Sequence, residues 1–209
     1  MERRPSIPAR KARRLAGLTL VETLVAVLVL GVLVAVAAPS MADFMERRRI
    51  AAAAGELLSL FNYAKAETNA LAANGELNLH LEPVPGELTS CARLATASIE
   101  DTCTCTRPAT TVCQGGRSSL VREFILPRDT GVRFDAAAVK WGLHACLITF
   151  YRSGKSGLPE GPVVTVTGER TGARLRVEYN NVGRVRICAP DGFSGYPVCD
   201  QPEPRGTCS

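Results

Sequence analysis

Histidine is scarce in this 209-residue chain: His80 and His144 are its only two. Neither has a Ser, Cys or carboxylate neighbour in an arrangement that reads as a triad, so no enzyme and no cofactor are expected. Cysteine is missing from the first ninety residues, although eight follow. Net charge is missing after Gly17. Removing the six Lys/Arg and one Glu of residues 1–17 from the totals of 25 and 20 leaves 19 basic and 19 acidic residues. The formal charge of +5 therefore sits in the leader, and the basic balance is no evidence for a nucleic-acid partner. A P-loop is missing too. Gly154-Lys155-Ser156 would need another Gly five positions before Gly154, where Thr149 stands, so the tripeptide reads as a turn. No internal repeat is evident.

Charge is also absent from the apolar run that follows Glu22 and continues to Ala38. The 21 residues from Leu18 to Ala38 would, as a helix, cover the roughly 30 Å of a bilayer's hydrocarbon core. Arg3, Arg4, Arg10, Lys11, Arg13 and Arg14 precede it, which keeps that end cytoplasmic and sends the rest across the membrane. A lone carboxylate near the start of a span costs about 2.5–3.5 kcal/mol on insertion scales, so Glu22 requires a purpose and a partner. An ordinary single-span anchor leaves Glu22 unexplained. A cleavable secretory signal fits Val36-Ala37-Ala38, but the apolar run is too long and Pro39 would follow the cut.

Gly17-Leu18-Thr19-Leu20-Val21-Glu22 resembles the processing site of type IV pilins and type II secretion pseudopilins. The resemblance implies that a prepilin peptidase removes residues 1–17 by cutting after Gly17 and methylates the new N-terminus at Leu18. Glu22 then becomes the fifth residue and Pro39 the twenty-second, a familiar kink position in such helices. The family's usual first residue is Phe, from which Leu18 departs. The resemblance also implies that Glu22 pairs with the N-terminal amine of a neighbouring subunit, which in low dielectric offsets much of its burial cost.

Beyond Pro39 a helical pattern resumes through Phe44, Ile50, Ala54, Leu57, Leu58, Phe61 and Ala64, with Asn74-Gly75 as the stop. Arg47, Arg48 and Arg49 read as a solvated face or as contacts to lipid headgroups or neighbouring subunits. Period-two alternation begins at Leu77–Leu81. Residues 86–118 are rich in Thr, Ser, Gly and Cys with little periodicity and read as a disulfide-tied loop region. Strands are expected at Leu120–Leu126, Val132–Phe134, Cys146–Tyr151, Val163–Thr167, Arg174–Tyr179 and Arg184–Cys188, with Asn180-Asn181-Val182-Gly183 as a hairpin turn. The expected fold class is α+β, a long N-terminal helix packed on an antiparallel sheet. The expected organisation is a leader at 1–17, a transmembrane helix at 18–38, its periplasmic continuation at 39–75, a β-rich domain at 76–190 and a Pro/Gly/Cys-rich tail at 191–209.

Ile148-Thr149-Phe150-Tyr151-Arg152-Ser153-Gly154-Lys155-Ser156, Val163-Val164-Thr165-Val166-Thr167 and Gly183-Arg184-Val185-Arg186-Ile187-Cys188 resemble the sheet of the GspH/FimT family of minor pseudopilins and minor pilins. With the N-terminal signature, the resemblance covers residues 17–75 and about 120–190. It implies a pilin-like fold and a single-pass inner-membrane protein with a periplasmic domain in a Gram-negative-type envelope. The implied partners are other pilins or pseudopilins, the prepilin peptidase, inner-membrane lipid and secreted protein substrates.

Cys91, Cys103, Cys105, Cys113, Cys146, Cys188, Cys199 and Cys208 all fall in the exported part, where an even count suits disulfides. Cys103-Thr104-Cys105 lacks the spacing and the further ligands of a zinc site, so no metal is expected. Cys199 and Cys208 are candidates to close the tail, or either one to reach Cys188. Arg174 and Arg176 share one strand face, as do Arg184 and Arg186, which would array guanidinium groups suited to phosphate. In FimT-type minor pilins a Gly-Arg-x-Arg motif is associated with DNA binding, and Gly183-Arg184-Val185-Arg186 has that form. DNA is therefore an alternative partner, against a face paired with Glu169 and Glu178 or a contact with another pilin. A simple anchored periplasmic domain is the third reading.

Overall fold

The computed structural model describes residues 19–70, 77–82, 89–96, 102–103, 113–114, 119–137, 146–150, 163–180 and 183–200. One helix, α1, occupies Leu20–Ala70 with Pro39 inside it. Thr19 starts it. Its carbonyl accepts from Thr23 N at 3.1 Å and its hydroxyl accepts from Glu22 N at 3.3 Å, satisfying an amide that the first turn cannot. The Thr23 and Ser40 hydroxyls donate back to the carbonyls of Leu20 and Ala37, each at 2.8 Å, so these polar side chains make no demand on the surroundings.

The chain divides into two compact units, Met1–Met41 and Ala42–Ser209. In the described part of the first, every residue is exposed, and the apolar window has a mean hydropathy of 2.7 with none of it buried. This stretch is long and apolar enough to cross a membrane.

The second unit is built on the rest of α1. Ile50, Ala53, Ala54, Leu57, Leu60, Phe61 and Ala64 are buried at i, i+3, i+4, i+7 spacing, the stripe of a helix with one covered face. Phe44 stands outside that stripe and is 50% exposed, contrary to its place in the sequence pattern.

Two four-stranded sheets supply the cover. In chain order the strands are β1 Leu77–Glu82, β2 Thr89–Thr96, β3 Thr102–Cys103, β4 Cys113–Gln114, β5 Leu120–Pro127, β6 Val132–Ala137, β7 Cys146–Phe150, β8 Val163–Gly168, β9 Arg174–Tyr179 and β10 Val185–Cys188. One sheet has the order β5-β2-β1-β7, the other β10-β9-β8-β6, and β3-β4 is a separate two-stranded ribbon. All these pairings are antiparallel. The α+β expectation holds, with two sheets in place of one.

The reading of 86–118 as loop is corrected in part, because β2 is an inner strand of the first sheet. Its residues Ser90, Cys91, Ala92, Arg93, Leu94 and Ala95 are all buried, so neither face meets water and no alternation is left to read. Arg93 is accommodated by Glu123 of β5, Nε to Oε2 at 2.7 Å. The Asn74-Gly75 stop, the Gly154-Lys155-Ser156 turn, His144 and residues 1–18 with Gly17 and Leu18 lie outside the described residues.

Three rings join the layers. Phe61 of α1 lies 5.9 Å from Phe150 of β7 and 6.0 Å from Tyr179 of β9, and the latter two are 5.4 Å apart edge-on. Each layer contributes one ring to this junction, and burial of that phenol pushes the Tyr179 pKa up.

Glu46 makes a second kind of tie between helix and sheet, a polar one. It is 6% exposed and accepts from Arg170 N at 2.8 Å and Thr171 N at 3.0 Å, one amide to each oxygen. These are the amides of the β8–β9 turn. Gly168 permits the approach: a Cβ there would stand 2.8 Å from both Glu46 Cδ and Ile50 Cδ1. Arg170 also pairs with Asp43. Burial works against the Glu46 charge, but the Thr171 and Arg170 hydrogen bonds and the Arg170 charge prevail and hold its pKa below the usual carboxylate value of 4.5.

Because the folded pKa is depressed, the stability due to the Glu46 carboxylate is complete above 4.5 and is lost as pH falls through the folded value. Glu46→Gln puts an amide NH2 against one of the two turn amides and should cost about 1.5–3 kcal/mol at pH 7. Urea unfolding of the full chain in neutral micelles should show that gap at pH 7 and a smaller gap at pH 3.5.

Candidate functional site

Three features could meet partners: the uncovered half of α1 with Glu22, the arginine strands, and the segment after Cys188. Glu22 lies in the first turn of α1 with its side chain exposed, and among the described residues it forms no ion pair.

The arginine strands place their side chains as period two requires. On β9, Leu175, Val177 and Tyr179 enter the core, while Arg174, Arg176 and Glu178 occupy the opposite face. The β9–β10 register sets Arg186 opposite Glu178 and Cys188 opposite Arg176. Sharing a face does not leave these arginines open to a ligand. Arg174 is gripped bidentately by Asp191, with Nε–Oδ2 at 2.7 Å and Nη2–Oδ1 at 3.0 Å. Arg176 is 2% exposed and meets Glu178 at 3.3 Å. Arg186 meets Glu178 at 2.8 Å and Asp200 at 2.7 Å.

Three guanidiniums thus face three carboxylates, a neutral set. Hydrogen bonds from Arg174 lower the Asp191 pKa, and those to Asp200 and Glu178 raise that of Arg186. Glu178 was legible as a partner in the sequence. Asp191 and Asp200 were not, because they come from a segment that the sequence presents as a separate tail.

Arg184 differs. It is exposed and pairs with no carboxylate among the described residues. Its backbone is held by the turn: Arg184 N donates to Asn180 Oδ1 at 2.7 Å, and Gly183, at φ 80°, donates to the Asn180 carbonyl at 2.9 Å. Lys65 of α1 donates to the Gly183 carbonyl at 2.8 Å. Beside them lies an open polar hollow of about 550 Å³ lined by Asn62, Lys65, Asn180, Gly183, Arg184 and Val185.

The first part of the expected tail belongs to this unit. Cys188 and Cys199 form a disulfide, which is the option of a bond to Cys188; Cys208 lies outside the described residues. Ala189 N donates to the Pro197 carbonyl at 2.8 Å, and Cys199 N to that of Ala189 at 3.3 Å. Phe193 is 8% exposed, packed with Tyr196 and covered by the Arg47 guanidinium. A Pro/Gly-rich segment has little core of its own, so this one borrows the domain's through Phe193 and is closed by the disulfide. Glu178 lies against Cys188 and Cys199 with ligand atoms within 4.8 Å, but the disulfide leaves neither sulfur as a thiolate. Cys91 is also disulfide-bonded.

No family model matches the chain, and no curated protein matches it. Among solved structures it is similar to the minor pseudopilin EpsH of the type 2 secretion system of Vibrio cholerae. That match has 10% identity and a TM-score of 0.44, over 68% of this chain and 98% of that one. It is also similar to the type IV minor pilin FimU of Pseudomonas aeruginosa, at 15% identity and a TM-score of 0.46 over 73% and 98%. A likeness of this degree assigns no activity, and the functional reading rests on the residues of this chain.

The disulfide closes a loop of sequence separation 11. Loop-closure entropy at that length corresponds to about 2–3 kcal/mol. The double variant Cys188→Ala, Cys199→Ala should lose roughly that much in urea unfolding, and protease should cut it between Pro190 and Asp200 faster than the parent.

Proposed function

We propose that this chain is a minor pilin or pseudopilin of GspH/FimT type, a non-enzymatic subunit of a filament of pilin-like proteins in a type II secretion or type IV pilus machine. The observation that carries the reading is the uncovered half of α1: apolar on every side, with a single carboxylate, Glu22, in its first turn and no cation among the described residues to meet it. In lipid such a helix holds its backbone polar groups internally, and its apolar surface needs no cover from its own domain. The carboxylate needs a counter-charge. A cut after Gly17 by a prepilin peptidase would place an amine on Leu18, four residues before Glu22. Between chains that amine becomes a partner whose pairing requires one axial register. Glu22 then rewards the correct stagger of neighbouring helices and penalises others, because a misplaced carboxylate stays unpaired in low dielectric.

The domain from Ala42 onward serves such a subunit as a folded head whose sheet surface is offered to other pilins or to secreted substrates. A DNA-binding role has less support. Arg174, Arg176 and Arg186 are neutralised by Asp191, Glu178 and Asp200, which leaves Arg184 alone of the four with its charge unanswered among the described residues. One guanidinium is a weak basis for gripping a polyanion whose affinity grows with the number of phosphates neutralised.

Glu22→Ala tests the proposal. The variant should insert into the inner membrane at the parental level, because removing a charge favours insertion. Its cross-linking to neighbouring pilins should fall at least tenfold in cells that assemble the filament. Parental cross-linking would remove the role assigned to Glu22.

A further inference from the structure

The positions just after the apolar span carry an observation that filament assembly does not use. Arg47, Arg48 and Arg49 are consecutive and all exposed. Each is held by a contact that leaves its charge unanswered. The Arg47 guanidinium carbon lies 5.4 Å from the Phe193 ring centre, and that of Arg48 lies 4.7 Å from the Phe44 ring centre. Arg49 Nη1 donates to the Thr130 carbonyl at 2.8 Å. Among the described residues none of the three forms an ion pair. Arg128, Arg170 and Arg174 instead meet Glu169, Asp43 and Asp191. A guanidinium has five donors, so a stacked face or a single carbonyl contact leaves most of its edge available. Phe44 and Met45, 50% and 45% exposed, sit on the same stretch of α1.

The sequence sets where this stretch falls. Between Glu22 and Asp43 lie twenty uncharged residues, Thr23 to Ala42. As helix they cover roughly 30 Å, the hydrocarbon thickness. Arg47–Arg49 follow Asp43 by four to six residues, about 6–9 Å of helix, which is close to the depth of one headgroup layer. Phe44 and Met45 then occupy the boundary where amphipathic and apolar side chains anchor a span.

From this coincidence of depth, exposure and unanswered charge we infer that Phe44, Met45 and Arg47–Arg49 form a docking surface for anionic phospholipid headgroups on the far side of the membrane. Stacking and the Thr130 bond hold the three guanidiniums in place before lipid arrives, so less side-chain freedom is lost on binding. The surface would fix the depth and roll of α1 before any neighbour is engaged. This inference rests on Thr23–Ala42 crossing the bilayer and is independent of the filament.

The test uses the full chain in neutral detergent micelles, titrated with phosphatidylglycerol or phosphatidylcholine, with bound lipid read by native mass spectrometry. The leader cations are the same in every variant and cancel from the comparison. The parent should prefer phosphatidylglycerol. The triple variant Arg47→Gln, Arg48→Gln, Arg49→Gln should bind it at least tenfold more weakly, since each arginine near a charged surface is worth about fivefold. The matching triple Lys variant, which keeps the charge, should retain most of the preference. A Gln variant with parental phosphatidylglycerol affinity overturns the inference. So does a Gln variant that keeps its lipid but loses self-association, which would make the surface a protein contact. Flotation with phosphatidylcholine vesicles separates the premises: failure of the parent to float removes the span and this inference together, whereas flotation without headgroup preference removes the inference alone.

Discussion

Everything here depends on a helix whose two halves carry different surfaces. The part of α1 in the first unit has no covered face and no charge between Glu22 and Asp43. The part in the second unit has one covered stripe, from Ile50 to Ala64, with charged residues and the exposed Phe44, Met45 and Tyr63 outside it. A helix apolar all round is stable only in lipid or among other helices. The domain that follows buries its own core without drawing on that half. Anchoring and folding are therefore separable demands, written into successive stretches of one secondary-structure element.

Within the domain, the helix serves as the spine to which both sheets are tied. Phe61, Phe150 and Tyr179 bring one ring from each layer into contact. Glu46 reaches the amides of the β8–β9 turn through the gap left by Gly168. The segment after Cys188 completes the second sheet with a buried Phe193, a disulfide and two carboxylates that neutralise Arg174 and Arg186. Charge on this face is answered internally, whereas the guanidiniums of Arg47–Arg49 remain exposed.

Much of this was legible in advance, for reasons that differ by element. The span is visible because twenty uncharged residues leave few alternatives. Strands β5 to β10 announce themselves by alternation, by β-branched runs and by turns such as that ending at Gly183, which has the positive φ the sequence implies. Strand β2 is hidden because burial on both faces erases period two, and because Arg93 looks solvated until Glu123 is placed beside it. Glu46 is hidden for a similar reason. A carboxylate between helical apolar positions reads as a water-facing residue, and its partners lie 124 and 125 positions away. The arginine face was placed on the right side of its strands, but its neutrality depends on Asp191 and Asp200, which only the fold brings near.

The central claim is that the uncharged helix becomes functional once the basic leader is removed and Leu18 offers an amine to a neighbour's Glu22. Intact-mass measurement of the chain extracted from its native membrane tests this most directly. The account predicts a polypeptide beginning at Leu18 with one added methyl group. A mass that retains residues 1–17 would contradict it, because Leu18 would then have no free amine to offer a neighbour's Glu22.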